Sequence, residues 1–136
     1  MQEKLWTGVK TKANVRMSIR GYANELQIGK DVIRVLGAPA YITLKLNKNM
    51  DSIMIVGASD KQKLSFKVPA GYYLGRCKQM RVSSKSFVSG ILSYNGLDVN
   101  ATYQFEGVYS EVNNAVIFDL NEAEEYSVLG KRVVSN

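Results

Sequence analysis

Apolar and polar residues alternate over Val9–Arg20. The odd positions read Val9, Thr11, Ala13, Val15, Met17 and Ile19; the even ones read Lys10, Lys12, Asn14, Arg16, Ser18 and Arg20. A strand sends alternate side chains to opposite faces, so this period predicts a strand with one apolar and one cationic face. A helix would scatter the same residues around its circumference. Gly21 and Asn24 then mark a turn. Asp31–Gly37 predicts a short helix in which Val32, Ile33 and Leu36 share a face; Gly37 stops it and Pro39 prevents its continuation. Tyr41–Leu46 alternates again, with Ile42, Leu44 and Leu46 inward. Asn47–Ser52 is a turn, and Ile53–Val56 returns to make a hairpin. Leu64–Val68 reads as another short strand.

A similar order then recurs. Met80–Ser83 predicts a strand, and Lys85–Gly96 a helix with Phe87, Val88, Ile91 and Leu92 as its stripe. Ala101–Glu106 is a strand with Tyr103 and Phe105 on one face. Glu111–Asn114 holds a turn and Ala115–Phe118 returns. Asn121–Glu125, with a capping Asn and early carboxylates, reads as the start of a short acidic helix. Lys131–Asn136 reads as a last strand or a frayed end. The expected fold class is α+β and β-rich, one compact domain over 1–136. It would be a small barrel or sandwich built from two strand–helix–hairpin repeats, 9–56 and 76–120, joined by 57–75.

Composition narrows the function. The 136 residues are 46% hydrophobic, enough for a real core, and contain no apolar run of membrane-spanning length. MQEKLWTGVKTK has no apolar h-region, and the lone Cys77 rules out an internal disulfide framework, so a reducing, cytoplasmic setting is expected. Histidine is absent, which removes the commonest general base and metal ligand along with Ser/His/Asp and Cys/His catalysis. No phosphate-cradling glycine loop occurs, and one cysteine with carboxylates makes an improbable zinc site. Asp119, Glu122, Glu124 and Glu125 read as an exposed helix turn rather than an acid/base pair. A non-enzymatic binding protein is expected, without cofactor or metal.

Charge gives the partner class. The net charge is +6; residues 1–68 hold 12 Lys+Arg and 5 Asp+Glu, whereas residues 69–136 hold 6 and 7. Such asymmetry points to an anionic partner. The candidate nucleic-acid-binding set is Lys10, Lys12, Arg16 and Arg20, with Arg76, Lys78, Arg81 and Lys85 as a second strip. These would contact phosphates, and arginines could also read guanine edges. A charged strand face equally serves to deter edge pairing. Tyr72-Tyr73 would stack on a ligand or plug a barrel end, Tyr22 and Tyr41 would sit at the core edge, and Trp6 would anchor the N-terminal segment or meet a partner.

Four stretches, Arg16–Arg20, Val32–Gly37, Tyr41–Leu46 and Ile53–Val56, together resemble the unit of AbrB-like swapped-hairpin transcription regulators and antitoxins. Gln27-Ile-Gly-Lys30 stands where that family has its Gly-Arg-Ile-x-Ile-Pro segment. The resemblance implies two copies interlocked into one barrel that presents arginines to DNA. Either the two halves of one chain supply both copies, or the chain forms a homodimer. Two other functions stay open. One is a phage or mobile-element inhibitor that binds a host protein or nucleoprotein complex. The other is sequestration of a nucleotide ligand.

Overall fold

The computed structural model describes residues 15–61, 65–69 and 79–126, and of Tyr126 only the backbone. Among these residues nine strands and two helices occur. The first strand, β1 (Val15–Arg20), buries Val15, Met17 and Ile19 and turns Arg16, Ser18 and Arg20 outward, as the alternation predicts. Its expected first half, Val9–Asn14, lies outside the described residues, as do Trp6, Tyr72-Tyr73, Cys77 and Lys131–Asn136.

The turn marked by Gly21 and Asn24 is present, and it is followed by a strand that the expected order lacks. A 3-10 turn at Gly21–Ala23 leads through Asn24, in the left-handed region, into β2 (Glu25–Gly29). β2 pairs along both edges, with β1 on one side and β6 (Gln79–Ser83) on the other. Leu26 and Ile28 are buried and Glu25 and Gln27 face out. The strand feeding the first helix is therefore β2, and β1 is its hairpin partner.

The first helix, α1 (Lys30–Val35), buries Val32 and Ile33 against β1 and β2. The second, α2 (Lys85–Tyr94), buries Val88, Ile91 and Leu92, with Phe87 half-buried. Ser84 caps α2 by accepting a hydrogen bond from the Phe87 N–H at 3.3 Å. Both helices end the same way. Gly37 and Gly96 sit at φ +86° and +71°, and the N–H of the next residue reaches back five positions, Ala38 to Ile33 O and Leu97 to Leu92 O. That is the Schellman stop, which glycine accepts without steric cost.

Each helix leads into a hairpin. β3 (Tyr41–Leu46) pairs with β4 (Ser52–Ala58), and β7 (Thr102–Ser110) with β8 (Ala115–Asp119). β5 (Ser65–Lys67) joins the free edge of β3. The predicted acidic helix is absent: Asp119 caps a 3-10 turn at Leu120–Glu122, and Glu124–Tyr126 forms β9 against the start of β7. The hydrogen-bonded order is β5-β3-β4-β8-β7-β1-β2-β6, every pair antiparallel. The sheet curls into a nearly closed barrel whose free ends are β5 and β6.

β7 serves both walls of this barrel. Its first half pairs with β1 and β9 and its second half with β8, and the change falls at Gly107. The interior is filled by Met17, Ile19, Leu26, Ile28, Ile33, Ile42, Leu44, Ile53, Ile55, Phe105 and Phe118, all close to fully buried. β8 is buried on both faces over Ala115–Phe118, which explains its unbroken apolar run. No helix among the described residues is long and apolar enough to cross a membrane.

Candidate nucleic-acid interface

The outward side chains of β6, β2, β1 and β7 form one polar surface, set by strand register. Gln27 lies opposite both Ser18 and Arg81; Arg16 lies opposite Glu106, and Arg20 opposite Glu25 and Thr102. Of the sequence-predicted set, Arg16, Arg20 and Arg81 come together on this surface, and Lys85 follows β6 at the first position of α2. Lys10, Lys12, Arg76 and Lys78 lie outside the described residues.

Carboxylates interleave with these arginines. Glu25, only 13% exposed in its side chain, is held by Arg20 at 3.3 Å, by Gln27 Nε2 at 2.7 Å and by Arg81 Nε at 3.9 Å. Arg16 stands 3.9 Å from Glu106, with both side chains more than half exposed. That pair is worth little in stability, because water screens it and two long side chains must be ordered. Arg20 is the most engaged cation. It donates to the Tyr22 hydroxyl, and its guanidinium lies 5.0 Å from the centre of the Tyr22 ring. The Tyr22 hydrogen bond, and with it the charge of Glu25, holds the Arg20 guanidinium above its already high pKa. Arg20 is therefore a permanent cation with a preset orientation.

Tyr22 is 42% exposed, so it belongs to the surface and not to the core edge. The alternation of polar residues over Glu25–Gly29 carried the signal for Glu25 and Gln27, and the register of β1 on β7 brings Glu106 beside Arg16. Register depends on residues distant in sequence, which a single strand's pattern does not reveal.

The chain enters β1 at Val15 and β6 at Gln79. Both strands run antiparallel to β2, hence parallel to each other, and both begin at its Gly29 end. The described residues hold ten Lys and Arg against eleven Asp and Glu, so the remaining residues carry a net +7. Much of that excess, Lys10 and Lys12 ahead of β1 and Arg76 and Lys78 ahead of β6, adjoins these two strand starts in sequence.

Among the described residues no group of three acidic or thiol side chains is arranged to hold a metal ion. No protein-family model, curated protein or solved structure matches this chain.

Proposed function

We propose that the chain is a non-enzymatic nucleic-acid-binding protein, a small DNA-binding regulator of AbrB-like swapped-hairpin design. Its two halves would play the parts of two interlocked copies. The observation that carries the binding reading is the shared start of β1 and β6. These strands carry Arg16, Arg20 and Arg81 on one surface, and in sequence Lys10 and Lys12 precede β1 and Arg76 and Lys78 precede β6.

The strand order supports the repeat. Let the first unit be β1-β2-α1-β3-β4 and the second β5-β6-α2-β7-β8. Exchanging the units then turns β1·β7 into β5·β3 and β3·β4 into β7·β8. It leaves β2·β6 and β4·β8 as they were. β1·β2 lacks a counterpart among the described residues, because β5 and β6 are the barrel's two free ends, and β9, paired with β7, falls outside both units. The shared Schellman stops at Gly37 and Gly96 fit the same scheme. The units then begin at β1 and β5, so the hairpin β1-β2 replaces the single basic strand expected before the first helix.

Gel mobility shift with random-sequence duplex DNA at about 50 and about 200 mM salt tests the reading. Binding should weaken steeply between the two, because each phosphate contact releases counterions. No shift at the lower salt removes the proposal. A second reading, an inhibitor that binds a protein, draws on the net −1 of the described residues and the Arg16–Glu106 and Arg20–Glu25–Arg81 pairings. It predicts a stoichiometric protein complex that added DNA does not dissociate.

A further inference from the structure

Charge is sorted along the second half of the chain more sharply than the halves suggest. Residues 61–85 carry seven Lys and Arg and no carboxylate; residues 86–130 carry seven Asp and Glu and no cation. The basic stretch supplies β5, β6 and the start of α2, and the acidic stretch supplies β7, β8 and β9. In the strand order β5 and β6 are the two ends, whereas β8 and β7 are the middle pair. Curling the sheet into a nearly closed barrel brings the ends towards each other and sets the middle pair opposite them. The barrel is therefore polarised across its width, with a basic seam on one side and an acidic wall on the other.

The described cations of the seam run along its length. Lys67 lies opposite Tyr41 at the barrel end where β2 finishes. Arg81 projects from the middle of β6 with its side chain 65% exposed, and Lys85 stands at the other end, exposed at the start of α2. Arg16 and Arg20 differ from these, since each faces a carboxylate across a strand pair. Arg81 has Glu25 3.9 Å away, but that carboxylate is already held more closely by Arg20 and Gln27.

We infer that the seam, through Lys67, Arg81 and Lys85, is where the phosphate backbone of a nucleic-acid duplex lies, with the β1 arginines contributing less. The inference rests on the nucleic-acid reading above and locates it. A polyanion is drawn to the side of highest potential and repelled from the wall of β7, β8 and β9, which fixes the orientation of approach. Contacts along one line suit a backbone whose charges are themselves in line.

The experiment compares duplex-DNA affinity, by fluorescence anisotropy over a salt series, for the wild-type chain and two variants. One is Lys67→Gln/Arg81→Gln/Lys85→Gln; the other is Arg16→Gln/Arg20→Gln. The seam variant should bind at least about tenfold more weakly, with its salt slope reduced by roughly two to three, about one per lost phosphate contact. The β1 variant should also lose affinity, but by a smaller factor than the seam variant, because its arginines are already paired with Glu106 and Glu25. Lys67→Glu alone, which adds a carboxylate to the seam at an exposed site, should act in the same direction as the triple change. Equal losses in both variants, or a larger loss in the β1 variant, would overturn the seam while leaving nucleic-acid binding intact. A wild-type chain that fails to bind at low salt overturns both.

Discussion

The ring of Phe118 occupies the space that a side chain on Gly107 would need. A Cβ built on Gly107 would lie 2.7 Å from Phe118 Cε1 and 2.9 Å from the Ile117 carbonyl oxygen. Phe118 is fully buried, and Gly107 is the point where β7 passes from one barrel wall to the other. Gly107→Ala should therefore destabilise the fold by about 1–3 kcal/mol, as overpacking of a dense core does. Urea unfolding followed by circular dichroism measures it. An unchanged midpoint would mean that the ring has room to move aside.

Glycines elsewhere should respond in opposite directions. Gly96 sits at φ +71° with nothing near its missing side chain, so Gly96→Ala incurs backbone strain alone, about 1 kcal/mol. Gly90 lies within α2 in open space without a positive φ. Gly90→Ala should stabilise by about 0.5–1 kcal/mol, since alanine loses less freedom in a helix. Paired thermal melts of the two variants, one below and one above wild type, check both expectations.

Much of this was readable beforehand. The alternation over Val15–Arg20 and Tyr41–Leu46, the stripe of α2 and the apolar run Ala115–Phe118 each marked an element with one or two buried faces. β2 was harder to see. Glu25-Leu-Gln-Ile-Gly alternates correctly, but it is short, lies between Asn24 and a terminal glycine, and is sustained by partners on both edges. β9 was hidden differently: its Glu-rich local signal suits a helix start, and pairing with Thr102–Gln104 overrides that signal. The cations of the candidate surface were visible as residue types. Their neutralisation by Glu25 and Glu106 follows from registers between strands far apart in the chain.

Tyr103 makes the fold sensitive to alkali. Burial raises its pKa above the ordinary tyrosine value of about 10, with Glu125 and Asp98 adding to the rise, while a hydrogen bond from the Asp98 N–H at 2.8 Å opposes it. The folded state therefore prefers the neutral phenol more than the unfolded state does. The resulting stability is complete below about pH 10 and is lost as pH rises through the elevated folded value. Urea midpoints between pH 8 and pH 11, values chosen to span about one unit above the tyrosine reference, should fall more steeply for wild type than for Tyr103→Phe. Parallel curves would assign the alkaline loss to other groups.

Asn95 ties the end of α2 to the β3–β4 turn. Its Nδ2 donates to Met50 O at 3.0 Å and to Ile91 O at 2.8 Å. Met50 has a positive φ of 59°, and Asn47 holds the same turn by accepting from the Asp51 and Ser52 N–H groups. Asn95→Ala should cost about 1–2 kcal/mol and speed amide hydrogen exchange around this turn. Lost stability without faster exchange at the turn would show that the contact to Met50 contributes little.

The path of β7 also governs when the protein can fold. β1, near the start of the chain, takes one of its two partners from β7, and β4 takes one of its partners from β8. A ribosome that has released only the first unit leaves an edge of each of these strands bare, with Met17, Ile19, Ile53 and Ile55 lacking part of their cover. The barrel therefore assembles only after β7 and β8 have been synthesised, and such distant pairings fold slowly. Truncated nascent chains ending before residue 100 should engage chaperones, and the abundance of intact protein in the cell should depend on that protected interval.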